Sequence, residues 1–252
     1  MKRNLKTEGI VIRNYRVQDY HKGTVIFSPE AGILHAIAYG GYKGKSRLGP
    51  AVQPLNRGIF DIYRDPVKKS ARINEYEPAE VYQAVKDNLK KYFTALAWLE
   101  TASKAHGGGE SSGELYSLLC DCLDLLLRLP ENLTDRIMVQ FLARALVIFG
   151  ENMDSSDCSI CGRKTGEKEQ VYFSLKDAGF ACVSCSTPQM IQVSPGAKRY
   201  LEYSLKNDLI HSINAGIDDN LLKHLKSLLY SIIQEYLEDT LSTLRTGKDF
   251  LI

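Results

Sequence analysis

Four of the six cysteines fall into one pattern. Cys158-Ser159-Ile160-Cys161 is followed, after 20 residues, by Cys182-Val183-Ser184-Cys185. A C-x2-C turn brings two thiolates toward one point, and two such turns complete a tetrahedron. The C-x2-C-x20-C-x2-C spacing lies within the range of four-cysteine zinc sites. Gly162, just after the first pair, suits the tight turn of a knuckle. Val171–Ser174 and Gly179–Ala181 read as a hairpin joining the two pairs. With all four valences supplied by cysteine, no position is open to a substrate. The expectation is one structural Zn2+ per chain, tying down a lobe too small to hold much core. The same spacing also admits redox disulfides or unmetallated thiols. Cys120 and Cys122 lie two apart on an apolar helical stretch and point in different directions, as small buried hydrophobes do.

The rest of the chain has the composition of an ordinary globular protein, with 44% hydrophobic and 25% charged residues over 252 positions. No apolar run approaches the roughly 18 residues a membrane span requires. The charged start Met1-Lys2-Arg3 is not followed by an apolar signal segment, so a cytoplasmic chain without a membrane partner is expected. Catalytic motifs are missing: there is no H-E-x-x-H and no G-x-S-x-G, and neither Cys158 nor Cys182 follows a proline as a deaminase pair would. His35, inside a strand pattern, reads as structural. Gly40-Gly41-Tyr42-Lys43-Gly44-Lys45-Ser46 is one residue short of a phosphate-binding G-x4-G-K-[ST] loop, and strand-like sequence rather than a helix follows it. The chain is therefore expected not to be an enzyme.

Hydrophobic patterning divides the chain. Residues 1–77 carry five short strand patterns: Glu8–Tyr15, Thr24–Ser28, Ile33–Tyr39, Arg57–Arg64 and Ala71–Tyr76. In the third, Leu34, Ala36 and Ala38 face one way and Ile33, His35, Ile37 and Tyr39 the other. Five strands in so short a span predict a barrel of the OB-fold kind. Residues 78–157 read as helical. Val81, Val85, Leu89, Tyr92, Leu96 and Leu99 form one stripe, Gly107-Gly108-Gly109 a break, and residues 115–129 a helix apolar on most sides. The cysteine lobe occupies 158–190. Helices return over 191–252, with Ser194-Pro195 as a start signal and a long final helix entered at Asp218 and left at Gly247. The expected architecture is multi-domain α+β: a five-stranded OB-fold barrel, then a helical bundle with an inserted four-cysteine zinc lobe.

Charge is uneven. Residues 1–77 hold 14 Lys+Arg against 7 Asp+Glu, while the remainder holds 18 against 23. A basic first third fits an anionic partner, and nucleic acid is the one that suits a barrel. Lys43, Lys45 and Arg47 are spaced by two in a Gly-rich loop, with Tyr15, Tyr39 and Tyr42 nearby as stacking surfaces. Together with Arg13, Arg16, Arg57 and Arg64 they are the candidate DNA contacts, made mainly to phosphates. The alternative is an exposed hairpin loop kept soluble by its lysines.

The module order and several short words resemble the RecO family of bacterial recombination mediators. The words are Thr7-Glu8-Gly9-Ile10-Val11-Ile12-Arg13, Asp19-Tyr20, Val25-Ile26-Phe27 with Gly32, Gly40, Lys45-Ser46-Arg47-Leu48, Gln53-Pro54-Leu55 and the two cysteine pairs. Gly41 and Tyr42 depart from the alanine and basic residue usual there, and Gly44 replaces a common proline, so one loop cation is missing. The resemblance implies DNA repair and recombination without catalysis, at the nucleoid. Such a chain binds single- and double-stranded DNA, anneals complementary strands and, with RecR, helps RecA replace the single-strand binding protein SSB. It also implies a docking site for the acidic, apolar-ended C-terminal tail of SSB. Lys223 and Lys226 beside Leu222, Leu225 and Leu229 are the candidate residues, unless those leucines are ordinary core. Two other readings remain: a zinc-ribbon RNA-binding or transcription-associated factor, and a zinc enzyme with an open metal position.

Overall fold

A computed structural model describes residues 3–68, 70–105 and 112–251. The chain forms two compact units that divide at Leu123/Asp124. The expected break at Gly107-Gly108-Gly109 lies outside the described residues.

In the first unit five strands close into a barrel: β1 (Asn4–Val17), β2 (His21–Ser28), β3 (Gly32–Ala38), β4 (Arg57–Asp65) and β5 (Ser70–Glu80), in the order β1-β2-β3-β5-β4 and back to β1. This is the OB-like barrel expected from the sequence, and its last strand runs on to Glu80. All neighbours are antiparallel except β3 and β5, which meet in parallel at Ile37 and Arg72. The alternation in β3 places Leu34, Ala36 and Ala38 inside, with Val11, Ile26, Phe60, Ile62 and Ile73. Between β3 and β4 the short α1 (Leu48–Ala51) and Val52 cover one mouth of the barrel. The side chain of Lys22 points inward at this mouth and donates to Gly49 O at 3.0 Å.

The stripe from Val81 to Leu99 is not one helix. Tyr82 adopts a left-handed conformation at φ 48°, α2 (Gln83–Lys86) is one turn, and Asn88 caps α3 (Leu89–Lys104) by accepting from Lys91 N at 3.0 Å. Val81 and Leu89 are consequently exposed, and α3 buries Ala95, Trp98, Leu99 and Ala102 instead. The apolar helix is α4 (Ser112–Arg128). It buries Leu115, Tyr116, Leu119, Cys120, Cys122, Leu123 and Leu126, and the Tyr116 ring meets Phe27 edge-on at 5.6 Å.

The second unit contains α5 (Thr134–Ile148), the cysteine lobe, α6 (Pro195–Lys206), α7 (Leu209–Asn214) and α8 (Asp219–Tyr236). The Ser194 hydroxyl caps α6 and Asp218 caps α8, as their positions predict. The final helix ends well before Gly247. Glu238 turns the chain at φ 50°, and two short helices follow, α9 (Ser242–Thr246) and α10 (Lys248–Leu251). The lobe is a three-stranded sheet of β6 (Val171–Ser174), β7 (Gly179–Cys182) and β8 (Ile191–Val193), in the order β7-β6-β8. No described helix is long and apolar enough to cross a membrane.

Barrel closure depends on close backbone approach at Gly58. A Cβ there would sit 2.2 Å from Glu77 O and 2.6 Å from the Tyr76 ring. Gly58→Ala is expected to destabilise the chain by about 3 kcal/mol, the upper end of overpacking costs. A lowered urea midpoint with an unchanged slope would register this.

Candidate nucleic-acid interface and metal centre

The β1–β2 turn and the β3–α1 loop meet at one end of the barrel. Tyr42 N donates to Tyr20 O at 3.1 Å, Lys43 N to Gly40 O at 2.8 Å and Ser46 N to Lys43 O at 2.9 Å. The Gly-rich loop is thus a series of bonded turns rather than the flexible tether its composition suggests. Gly40 takes φ +67°, and its N–H donates to His21 Nδ1 at 3.0 Å, which holds that ring edge-on to Tyr39 at 4.8 Å. Tyr15, Tyr20, Tyr39 and Tyr42 are all exposed.

Cations lie against these rings. The Arg16 guanidinium is 5.6 Å and the Lys22 ammonium 5.0 Å from the Tyr42 centroid. Lys43 is 5.8 Å from Tyr20 and Arg13 is 5.9 Å from Tyr15. Arg13, Arg16, Lys43, Lys45 and Arg47 are exposed. Sequence reasoning omitted Lys22 and Tyr20. Lys22 stands in the strand register beside Arg16, yet its inward alternation would ordinarily mark a core position. Burial lowers its pKa.

Two expected DNA contacts are placed differently. Arg57 is half-buried and its Nε donates to Glu8 Oε1 at 2.8 Å. Burial opposes its charge, but the bonds to Glu8 and Tyr82 prevail and raise its pKa. A phosphate contact through that nitrogen would require giving up Glu8. Arg64 is half-buried in β4, where its backbone N–H donates to Arg3 O at 2.7 Å.

In the second unit, the four cysteine sulfurs lie within 4.8 Å of one another. Cys158 and Cys182 are buried, Cys185 is partly so and Cys161 is exposed. The first knuckle closes through Gly162 N to Cys158 O at 2.9 Å, with Gly162 at φ +71°, and through Cys158 N to Arg163 O at 2.8 Å. Ser159 N donates to Phe180 O at 2.7 Å, and Cys182 N to Cys158 Sγ at 3.3 Å, so the two pairs face each other. The Cys161–Cys182 sulfur separation is 4.0 Å. A tetrahedral ion with bonds of about 2.3 Å needs sulfurs about 3.8 Å apart. The set can hold one metal ion.

Two of the thiols, Cys158 and Cys182, are tuned toward ionisation and Cys185 away from it. Burial opposes the charge on Cys158, but N–H groups of Cys182, Cys161 and Ile160 outweigh it and bring the pKa to about 6. The Arg163 side chain lowers that of Cys182. Hydrogen bonds to Cys161 and Cys182 push Cys185 up to about 12. Without a cation, four thiolates this close cannot all be charged.

The leucines proposed to receive an SSB tail are core. Leu225 and Leu229 are fully buried and Leu222 is 6% exposed. Lys226 is buried against Asp135, Nζ to Oδ1 at 2.9 Å. Of the five residues, only Lys223 is exposed. The apolar stripe that resembled a notch is the face α8 uses for folding.

The family model for the recombination protein O N-terminal domain matches residues 1–82, and that for its C-terminal domain matches residues 86–245. The chain belongs to the RecO family. It is 26% identical to the DNA repair protein RecO of Desulforamulus reducens, over 94% of this chain and 91% of that one. It is 27% identical to the DNA repair protein RecO of Bacillus pumilus, over 92% and 89%. The corresponding protein of Acetivibrio thermocellus is 24% identical over 98% and 96%.

Elemental analysis of the purified chain is expected to find one metal ion, with Cys158→Ser losing most of it. Metal binding displaces thiol protons, so affinity should fall as pH drops below about 12, where Cys185 protonates, and more steeply below about 6, where Cys158 does too. A pH titration against a competing chelator checks the sign.

Proposed function

We propose that the chain is a non-enzymatic DNA repair and recombination mediator of the cytoplasm and nucleoid. It binds single- and double-stranded DNA through the barrel end, anneals complementary strands and, with RecR, helps RecA load onto SSB-coated DNA. One observation carries this reading: four exposed tyrosines interleave with Arg13, Arg16 and Lys43 on a surface fixed by backbone bonds. Tyrosine faces stack bases of any sequence, and the cations neutralise phosphates. Annealing needs no bond chemistry, only relief of repulsion between two anionic strands.

The metal is taken to be zinc. Four thiolates suit its softness and tetrahedral geometry, and they leave no open position for substrate. For the SSB tail, we place the apolar residue in a hollow of about 340 Å³ beside α6 and the start of α8, lined by Arg199, Tyr203, Ile217, Leu221 and Asp218, whose carboxylate is engaged in capping α8. Arg199 is exposed there to meet the acidic part of the tail.

Annealing of complementary strands, bare and SSB-coated, is the deciding assay. Tyr42→Ala is expected to weaken single-stranded DNA binding by about 1–3 kcal/mol with an unchanged salt slope. Lys43→Ala should reduce the slope of log K against log salt by about 0.7. A flat salt titration sinks the phosphate reading. Tighter binding of single-stranded RNA, without annealing of SSB-coated DNA, favours the RNA-binding alternative.

A further inference from the structure

Lys198, on α6, is 1% exposed. Lysine is almost never buried so fully without partners. Its ammonium has three N–H donors, and the structure supplies three acceptors: Thr165 O at 3.2 Å, Thr165 Oγ1 at 2.7 Å and Gly166 O at 2.8 Å. All three lie just after the first cysteine knuckle. Glu202, one turn further along α6, is 3.7 Å away and offsets the charge. Its carboxylate also accepts from Ser155 Oγ at 2.7 Å, just before the knuckle.

The two flanks are themselves joined. Thr165 N donates to Ser156 O at 2.7 Å, and Thr165 Oγ1 donates to Ser155 O. Inside this closure Asp157 bridges Lys164, and Cys158 N is bonded to Arg163 O. The loop that carries Cys158 and Cys161 is therefore clamped at both ends onto one turn of α6. None of these bonds involves a metal ligand's sulfur. The second pair is held separately, by β7 and the turn Val183–Cys185.

We propose that Lys198 is a positioning residue for the metal centre: with Glu202 it holds the first cysteine pair in its ligating conformation and so slows metal loss. The proposal rests on the reading that this site binds zinc. Pre-forming half of a four-ligand site removes much of the ordering cost of binding. Partners outside the ligand shell commonly change metal affinity by about 10–100-fold.

The test measures zinc transfer from the intact chain to a chromophoric chelator. Lys198→Met leaves Glu202 without its cation, so Lys198→Met/Glu202→Gln is the main variant, since it removes both charges. With native circular dichroism retained, it is expected to release zinc at least about tenfold faster. Its cobalt-substituted form should show altered ligand-field bands, which a merely structural substitution on α6 would not produce. Thr165→Val, which removes one of the three acceptors and the bond to Ser155, is expected to give a smaller increase. It keeps the test open if the double variant does not fold. Zinc release at the wild-type rate, with unchanged cobalt bands, from a folded variant overturns the proposal alone. A wild-type chain that binds no zinc overturns the zinc reading, and this proposal with it.

Discussion

The first unit depends on one strand serving two neighbours. β1 is long enough to pair with β4 over Asn4–Ile10 and with β2 over Ile10–Val17. Within the β1–β2 pairing, just past the point where the pairing with β4 ends, the register shifts at Val11/Arg13, a bulge that increases bending and twist where the sheet must curl. Closure then removes the open edges a five-stranded sheet would otherwise present. Pairing of β1 with β2 and of β2 with β3 brings the β1–β2 turn and the β3–α1 loop together, so that residues 20 and 42 share a backbone bond. The proposed interface is built on that meander: Arg16 pairs with Lys22 across β1–β2 and Lys22 with Ala38 across β2–β3, which sets Tyr42 beside both.

The lobe in the second unit follows a different logic. Its cluster of buried apolar residues around the sulfurs is small: Cys158, Ala181 and Cys182, with Cys185 and Met190 against them. Hydrogen bonds and buried charge do what a larger core would do elsewhere. Lys198 satisfies backbone acceptors on one side. Arg163 pairs with Glu169 and donates toward Cys182 on the other. Four thiolates around a divalent ion carry a net charge of about −2, and cations placed beside them lower the cost of gathering that charge.

Features of short period were legible in the sequence. The alternation in β3 and the spacing of the cysteines each specify geometry within a few residues. Features that depend on distant partners were not. The stripe from Val81 to Leu99 has helical period, yet the left-handed turn at Tyr82, just out of β5, and the Asn88 cap break it. Leu225 and Leu229 looked the same as docking residues or as core until α8 was packed. Arg57 looked free because Glu8 is 49 positions away. Lys198 stood in an ordinary helix start, and nothing in its neighbourhood signalled that Thr165 would consume its donors.

Cations of the proposed interface have different partners from several others in the chain, although Arg72 also lies over a ring, that of Tyr63, outside it. Arg57, Lys226 and Arg163 face carboxylates, which cancel their charge. Arg13, Arg16 and Lys43 lie instead against tyrosine rings. A ring attracts a cation through its quadrupole and limits its motion, but it carries no net charge. The positive potential at the barrel end therefore survives the ordering of its side chains. A phosphate that arrives there need not displace a carboxylate, and each ring can exchange a cation for a stacked base. Holding cations with aromatics reconciles two demands that acidic partners set in conflict: a surface ordered before the strand arrives, and one still charged enough to draw it in.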